Sequence, residues 1–150
     1  VILHDQRLAV DPEVFEGVIG GANYYWGLEE TVPSAKAFND AFRAEYDGAI
    51  PTDYGAYGYT GVASLLMAME NAGGTDPQKD IAALEALKYD VAKGEQSYRK
   101  CDHQSMQSVL VLESKARADM ASDADLFKIV ANEPASEAVL RTCSELGFKS

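Results

Sequence analysis

The stretch PTDYGAYGYTGVASLLMAMENAGG, residues 51–74, decides how the rest of the chain is read. Between Asp53 and Glu70 no residue carries a charge. Tyr54, Tyr57 and Tyr59 open the run, aliphatic residues follow, and Gly73-Gly74 stop it. An uncharged segment of this kind is expected to hide from water as a buried helix. It is too short to span a bilayer comfortably, and its tyrosines and glycines crowd one end. The expectation is a core helix, capped by Pro51-Thr52-Asp53, whose first turn carries aromatic rings with hydroxyl tips. Such a turn suits the wall of a small-molecule cleft.

Helices are expected on both sides. Ser34 is a suitable N-cap before AKAFNDAFRAEYDG. Phe38, Ala41, Phe42 and Tyr46 fall on one face of that helix. Lys36, Asn39, Asp40, Arg43 and Asp47 populate the other, and Gly48 ends it. Downstream, Thr75-Asp76-Pro77 opens a helix with Ile81, Leu84 and Leu87 inward, proline being welcome in a first turn. Beyond Leu87 the pattern turns to strands: a short piece at 89–91, a turn at Gly94, a polar extended segment over 97–104, a buried strand over 108–113, and another short one over 127–130. Residues 115–125 form a charged loop. Residues 134–146 read as a final amphipathic helix with Val139, Leu140 and Cys143 inward and Gly147 after it.

At the other end, residues 1–3 read as the close of a strand, and Asp11-Pro12 as a turn or helix start. Residues 18–22 read as a buried strand, where Gly20-Gly21 allow a bend or close approach. An aromatic loop follows from Asn23 to Gly27. Alternating strands and helices place the chain in the α/β class. A run of consecutive helices is unusual for a simple doubly wound domain. The chain also opens directly in VILHDQ, without a methionine. Both features point to a piece of something longer.

Composition excludes several functions. With 150 residues, 47% hydrophobic and 25% charged, the chain is an ordinary globular one. A net charge of −11 opposes binding to a phosphate backbone or an anionic membrane surface. The charge reads most simply as solubility. Cys101 and Cys143 are the only cysteines. They can be buried thiols or one bridge, and they are too few for a zinc site.

Candidate chemistry is sparse. Asp102 and His103 are adjacent, and in an extended segment neighbours point to opposite faces. Cys101 and His103 would share a face, which raises a Cys/His hydrolase reading. That reading needs a thiolate of depressed pKa, for which nothing else in the sequence argues. His4 and His103 lie far apart, and no calcium-loop pattern occurs, so no metal site is expected. Gly20-Gly21 lacks the lysine and helix cap of a phosphate cradle. Glu29-Glu30 reads as a solvated loop. Tyr24, Tyr25 and Trp26 either cover the core at a strand exit or line a cleft, and Tyr54 and Tyr57 carry the same two readings.

Three blocks in order carry a resemblance: EGVIGGANYYW (16–26), the run from PSAKAFNDAFRAEY through IPTDYGAYGY to AGGTDPQKDIAALEAL (33–87), and GEQSYRKCDHQSMQSVLVLESK (94–115). Together they resemble the C-terminal part of periplasmic substrate-binding proteins of ABC importers, of the branched-chain amino-acid (Leu/Ile/Val-binding) type. Order and spacing carry the likeness. It implies an α/β, type I periplasmic-binding-protein fold, a two-lobe Venus-flytrap of which only the C-terminal part is present. Residues 1–22 would belong to the C-terminal lobe and 23–112 to the N-terminal lobe. Residues 113–150 would return to the first with a terminal helix.

The resemblance further implies a protein that is not an enzyme, needs no cofactor and binds no nucleic acid. It would sit in the periplasm, or otherwise outside the cytoplasm. There it would hold a small amino acid or small carboxylate, aromatic acids included, between its lobes and deliver it to an ABC permease in the membrane. Tyr54 would be the aromatic cleft residue, with Tyr24 and Tyr25 at a crossover between lobes. Export would favour a Cys101–Cys143 disulfide. A ligand-sensing regulator or receptor domain of the same fold is the alternative function.

Overall fold

The computed structural model describes residues 4–136, 138 and 140–148. Two short helices, α1 (His4–Leu8) and α2 (Pro12–Phe15), precede strand β1 (Ile19–Ala22). A 3₁₀ turn (Trp26–Glu30) leads into helices α3 (Pro33–Glu45), α4 (Asp53–Ala72) and α5 (Pro77–Ala86). Strands β2 (Lys88–Tyr89), β3 (Gln96–Tyr98), β4 (Ser105–Met106), β5 (Val109–Ser114) and β6 (Phe127–Glu133) follow. The expected strand end at residues 1–3 lies outside the described residues.

The strands make two antiparallel three-stranded sheets, ordered β1-β5-β6 and β2-β3-β4. In the first, Ile19 faces Glu113 and Ala22 faces Leu110. The β5–β6 register slips between Val111 and Leu112, which leaves Val130 unpaired and bends the edge strand. Ala22, Tyr25, Leu28, Ala35, Leu110, Leu112, Leu126 and Phe127 form one buried cluster beneath this sheet. A second cluster joins Tyr24, Phe38, Ala56 and Ala92. The first crosses the boundary expected at 22/23, because Tyr25, Leu28 and Ala35 pack on strands on either side of it. Buried Arg7 fastens α1 to this sheet, its Nε donating to Ser114 Oγ at 2.6 Å.

The helix expected over 51–74 forms. The Thr52 hydroxyl accepts from the Gly55 amide, and Gly73 closes the helix in the left-handed region at φ 73°. Its burial differs from expectation. Asp53, Ala56, Ser64 and Ala68 are buried, whereas Tyr54 is 57% exposed and Leu66 58% exposed. Small residues make the closest contacts on the inner face, while Val62, Leu65 and Leu66 stay exposed and Tyr59 reaches Phe38 at 4.8 Å between ring centres.

Other expectations are corrected. Helix α3 starts at Pro33 with Val32 as its cap. The Ser34 hydroxyl instead accepts from the Gly94 amide at 3.1 Å. Ile81 of α5 is exposed, and Ile19 in β1 is exposed where a buried strand was expected. Residues 97–104 are not one extended piece. Arg99 N–H donates to Gln104 O, closing a hairpin between β3 and β4, and His103 takes φ 56°.

The helix expected over 134–146 is reduced to a single turn among the described residues, with Val139 outside them. Thr142 and Glu145 cap each other reciprocally. Gly147 at φ 83° then ends the turn. Cap and stop lie five residues apart, which leaves room for one turn only. Among the described residues no helix is long and apolar enough to cross a membrane.

Candidate functional site

Where the first turns of α4 face the second sheet, a cleft of about 250 Å³ opens. Asn23 and Tyr24 from the end of β1 form one wall, and Tyr57 and Thr60 of α4 another. Tyr89, Lys93, Gln96 and Tyr98 from the second sheet and its connection form the floor. Residues on α4 three or four apart share a face, so Ala56, Tyr57, Thr60 and Gly61 reach the same space.

The floor is wired by hydroxyls. Tyr89 donates to Tyr98 at 3.2 Å, Tyr98 and Ser64 are 2.9 Å apart, and Ser64 donates to Gly61 O at 3.0 Å. With Tyr98 donating to Ser64, the protons run one way along this chain, towards the Gly61 carbonyl. Burial pushes the Tyr89 hydroxyl well above the usual phenol range, and the bond with Tyr98 adds to it. The Tyr89 hydroxyl therefore stays neutral at physiological pH.

Lys93 is buried beside them. Its ammonium donates to Ser108 O at 2.7 Å and to Asn23 O, which ties the connection after β2 to the end of β1 and the start of β5. Burial pulls its pKa from the ordinary lysine value down to about 8. Gln96 is buried too, and its Nε2 has no hydrogen-bond partner. Sequence reading singled out neither residue. A lysine and a glutamine in a polar stretch read as solvated, and only the fold turns them inward.

The expected site tyrosines are not equivalent. Tyr24 lines the cleft with its ring and is otherwise buried, its hydroxyl donating to Asn39 Oδ1. Tyr25 is a core residue. Its ring meets Phe127 edge-on at 5.3 Å, its hydroxyl accepts from the Phe127 amide at 3.2 Å and donates to Ala124 O at 3.4 Å. Tyr54 stands at the exposed tip of α4, edge-on to Tyr57 at 6.2 Å. It therefore adjoins the cleft rather than lining it.

A buried polar network braces the wall behind Tyr24. Asn39 donates to Trp26 O at 2.8 Å and to Glu29 Oε2 at 2.6 Å. Arg43 holds both Glu29 oxygens, at 2.8 and 3.0 Å. Burial pushes the Glu29 carboxyl up, but the bonds from Arg43 and Asn39 outweigh it and hold it below the usual range. The reading of Glu29 as solvated and of Asn39 as an outward polar residue is thus corrected. The flank of α3 that carries Ala35, Asn39 and Arg43, beside its apolar stripe, meets the 3₁₀ turn.

Cys101 and Cys143 form a disulfide, with Cα atoms 6.1 Å apart. That removes the thiolate on which a Cys/His hydrolase would depend. His103 instead meets Glu85 at 3.0 Å. No cluster suited to a metal ion occurs among the described residues.

The family model for periplasmic binding proteins matches residues 3–147. The chain belongs to that family. An amino acid ABC transporter substrate-binding protein from Pseudomonas fluorescens Pf-5 is 26% identical over 97% of this chain and 37% of its own, with a TM-score of 0.82. A branched-chain amino acid ABC transporter periplasmic ligand-binding protein from Burkholderia xenovorans LB400 is 23% identical, over 90% of this chain and 35% of its own, with a TM-score of 0.77. A solute-binding protein of an ABC transporter from Rhodopseudomonas palustris BisB5, solved with 3,4-dihydroxybenzoic acid, is 20% identical, over 90% of this chain and 35% of its own, with a TM-score of 0.71. The chain thus spans about a third of the length of the family members it matches. Its mixed α/β architecture is that of the corresponding part of the type I binding-protein fold.

Proposed function

We propose that the chain is part of an extracytoplasmic solute-binding component of an ABC importer, which captures a small amino acid or small carboxylate between two lobes and presents it to a membrane permease. Residues 23–112 then complete one lobe, with 1–22 and 113–150 in the other. The observation that carries the reading is the tyrosine-edged cleft, set beside the point where β1 and β5 bring the chain into and out of the helical region. Tyr54 and Tyr57 offer rings to a ligand, and Tyr24 backs them. Family membership and the disulfide, which belongs to an oxidising compartment, both support it. Nothing in the cleft performs covalent chemistry. Capture works by shifting an open–closed equilibrium.

The test is calorimetric titration of the protein with L-leucine, benzoate and 3,4-dihydroxybenzoate. Tyr54→Ala is expected to weaken binding of the acid that binds wild type by about tenfold, the loss of one ring contact, with the thermal midpoint nearly unchanged because the ring is exposed. Equal affinity for wild type and variant removes Tyr54 from the site. Heat from none of the three acids counts against the solute-binding reading.

A further inference from the structure

We infer that the stretch after Glu133 is a strap: it recrosses the neck where β1 and β5 join the two lobes, and the Cys101–Cys143 bridge ties it to the lobe of residues 23–112, so that it limits how far the lobes part. This rests on the two-lobe reading and moves the end of the chain from one lobe to the other. Strand directions supply the first argument. β5 runs away from the helices and the second sheet, Val109 first and Ser114 last. β6 pairs with it antiparallel, from Phe127 opposite Ser114 to Glu133 opposite Val109. It therefore runs back, and it ends one rung beyond the level at which Ala22 meets Leu110. Pro134 has no amide hydrogen to offer the ladder, and the strand stops before it.

Beyond that point the chain meets the second sheet. Pro134, Ser136 and Leu140 share a cavity of about 240 Å³ with Asn23, Gln104 and Met106. Arg99 donates to Arg141 O at 3.0 Å, while Asp102 grips the same guanidinium. Two residues further along each segment, Cys101 and Cys143 are bonded. The ring closed by that bond runs through β4, β5, the loop after it and β6, so it passes through both lobes. Little else fixes the strap. Among the described residues none beyond Glu133 belongs to either apolar cluster, and the end turn is capped by its own Thr142 and Glu145. A segment with so little burial is among the first to let go, and the covalent bond prevents it. Lobes that swing apart about β1 and β5 must then drag β6 along β5 or draw the strap taut. The widest open states are lost, and the equilibrium leans towards closure.

The test is pulsed electron spin resonance, with nitroxides attached without reductant at Lys79→Cys in α5 and Lys128→Cys in β6, two exposed positions in different lobes. Three forms are compared. One keeps the bridge, one carries Cys101→Ser with Cys143→Ser, and one keeps the bridge but has a short Gly/Ser insert after Ala135 that adds about 20 Å of reach. Expected is a narrow distance distribution in the first form. In the other two it should broaden, with a mean longer by about 2 Å or more. Lengthening a loop costs little stability, so the insert slackens the strap in a folded chain even if the serine variant fails to fold. Equal distributions in the bridged and lengthened forms, with L-leucine, benzoate or 3,4-dihydroxybenzoate still moving the distance, overturn the strap and leave capture between lobes standing. Equal distributions that none of the three acids moves overturn the strap and count against the two-lobe reading as well.

Discussion

Replacing Asn39 by alanine should be far costlier than its place on the polar side of α3 implies. The side chain is fully buried and makes bonds in three directions: it accepts from Tyr24 and donates to Trp26 O and Glu29. Truncation strands the Tyr24 hydroxyl, which is only 2% exposed. It also takes one of two bonds from the Trp26 carbonyl, which keeps its place in the 3₁₀ turn, at about 1 kcal/mol. Each buried, unsatisfied neutral group costs about 1–3 kcal/mol. Glu29 keeps its two contacts to Arg43 and loses about 1 kcal/mol. The sum is about 4 kcal/mol, close to the whole stability of a marginal domain. The assay is urea unfolding followed by tryptophan fluorescence, with Trp26 as the only tryptophan. Lys36→Ala, on the exposed side of the same helix, is the control and should stay within about 0.5 kcal/mol. A destabilisation by Asn39→Ala no larger than that control would refute the network and restore the outward-facing reading.

Removing the disulfide by Cys101→Ser with Cys143→Ser should cost about 4 kcal/mol, the loop-closure entropy for a separation of 42 residues. An unchanged urea midpoint, compared with the oxidised protein, would show that the last turn holds without it. Acid should also loosen this corner. The hydrogen bonds from Arg99 hold the Asp102 carboxyl down at about 2. Its contribution is therefore complete above the ordinary aspartate range and is lost as pH falls from about 4 towards 2. Asp102→Asn should flatten the pH dependence of unfolding in that window, and an unaltered slope would contradict the pairing. Leu66→Glu, on the exposed face of α4, should leave stability within about 0.5 kcal/mol. It should also reduce self-association of the chain in sedimentation, since exposed apolar patches promote contact. A loss of folding would mean that the face is covered after all.

Helix α4 was legible end to end, because a threonine cap and a glycine stop are local signals. So were the tyrosines at its tip and the strand that became β5. What misled was burial. An uncharged helix states that something covers it, not that the same stretch of chain does. In this chain Val62, Leu65 and Leu66 face outward. Asn39 was misread for the converse reason. Helical spacing puts it on the flank of the apolar face, with Ala35 and Arg43 a turn away on either side, and only the fold sets the 3₁₀ turn against that flank. The pairing of Cys101 with Cys143 followed from the expected compartment, whereas the shape of its partners did not: a hairpin loop and a single turn replaced a strand and a helix. Lys93 and Gln96 left no signal at all, since neither periodicity nor capping marks a polar residue that a later strand will enclose.

The ladder that sets Ala22 against Leu110 joins two points 88 positions apart in sequence at neighbouring rungs. Everything between them leaves and returns through a two-ribbon neck, with the Cys101–Cys143 bridge as a second tie to the last turn. An appendage tethered in this way can be exchanged between homologues by a double crossover in its coding sequence, since both splice points lie side by side in space. The graft cannot be cut at the neck itself. Leu28 and Ala35 reach back under the host sheet, so a workable transplant must begin after those anchors and bring a cysteine to match Cys143.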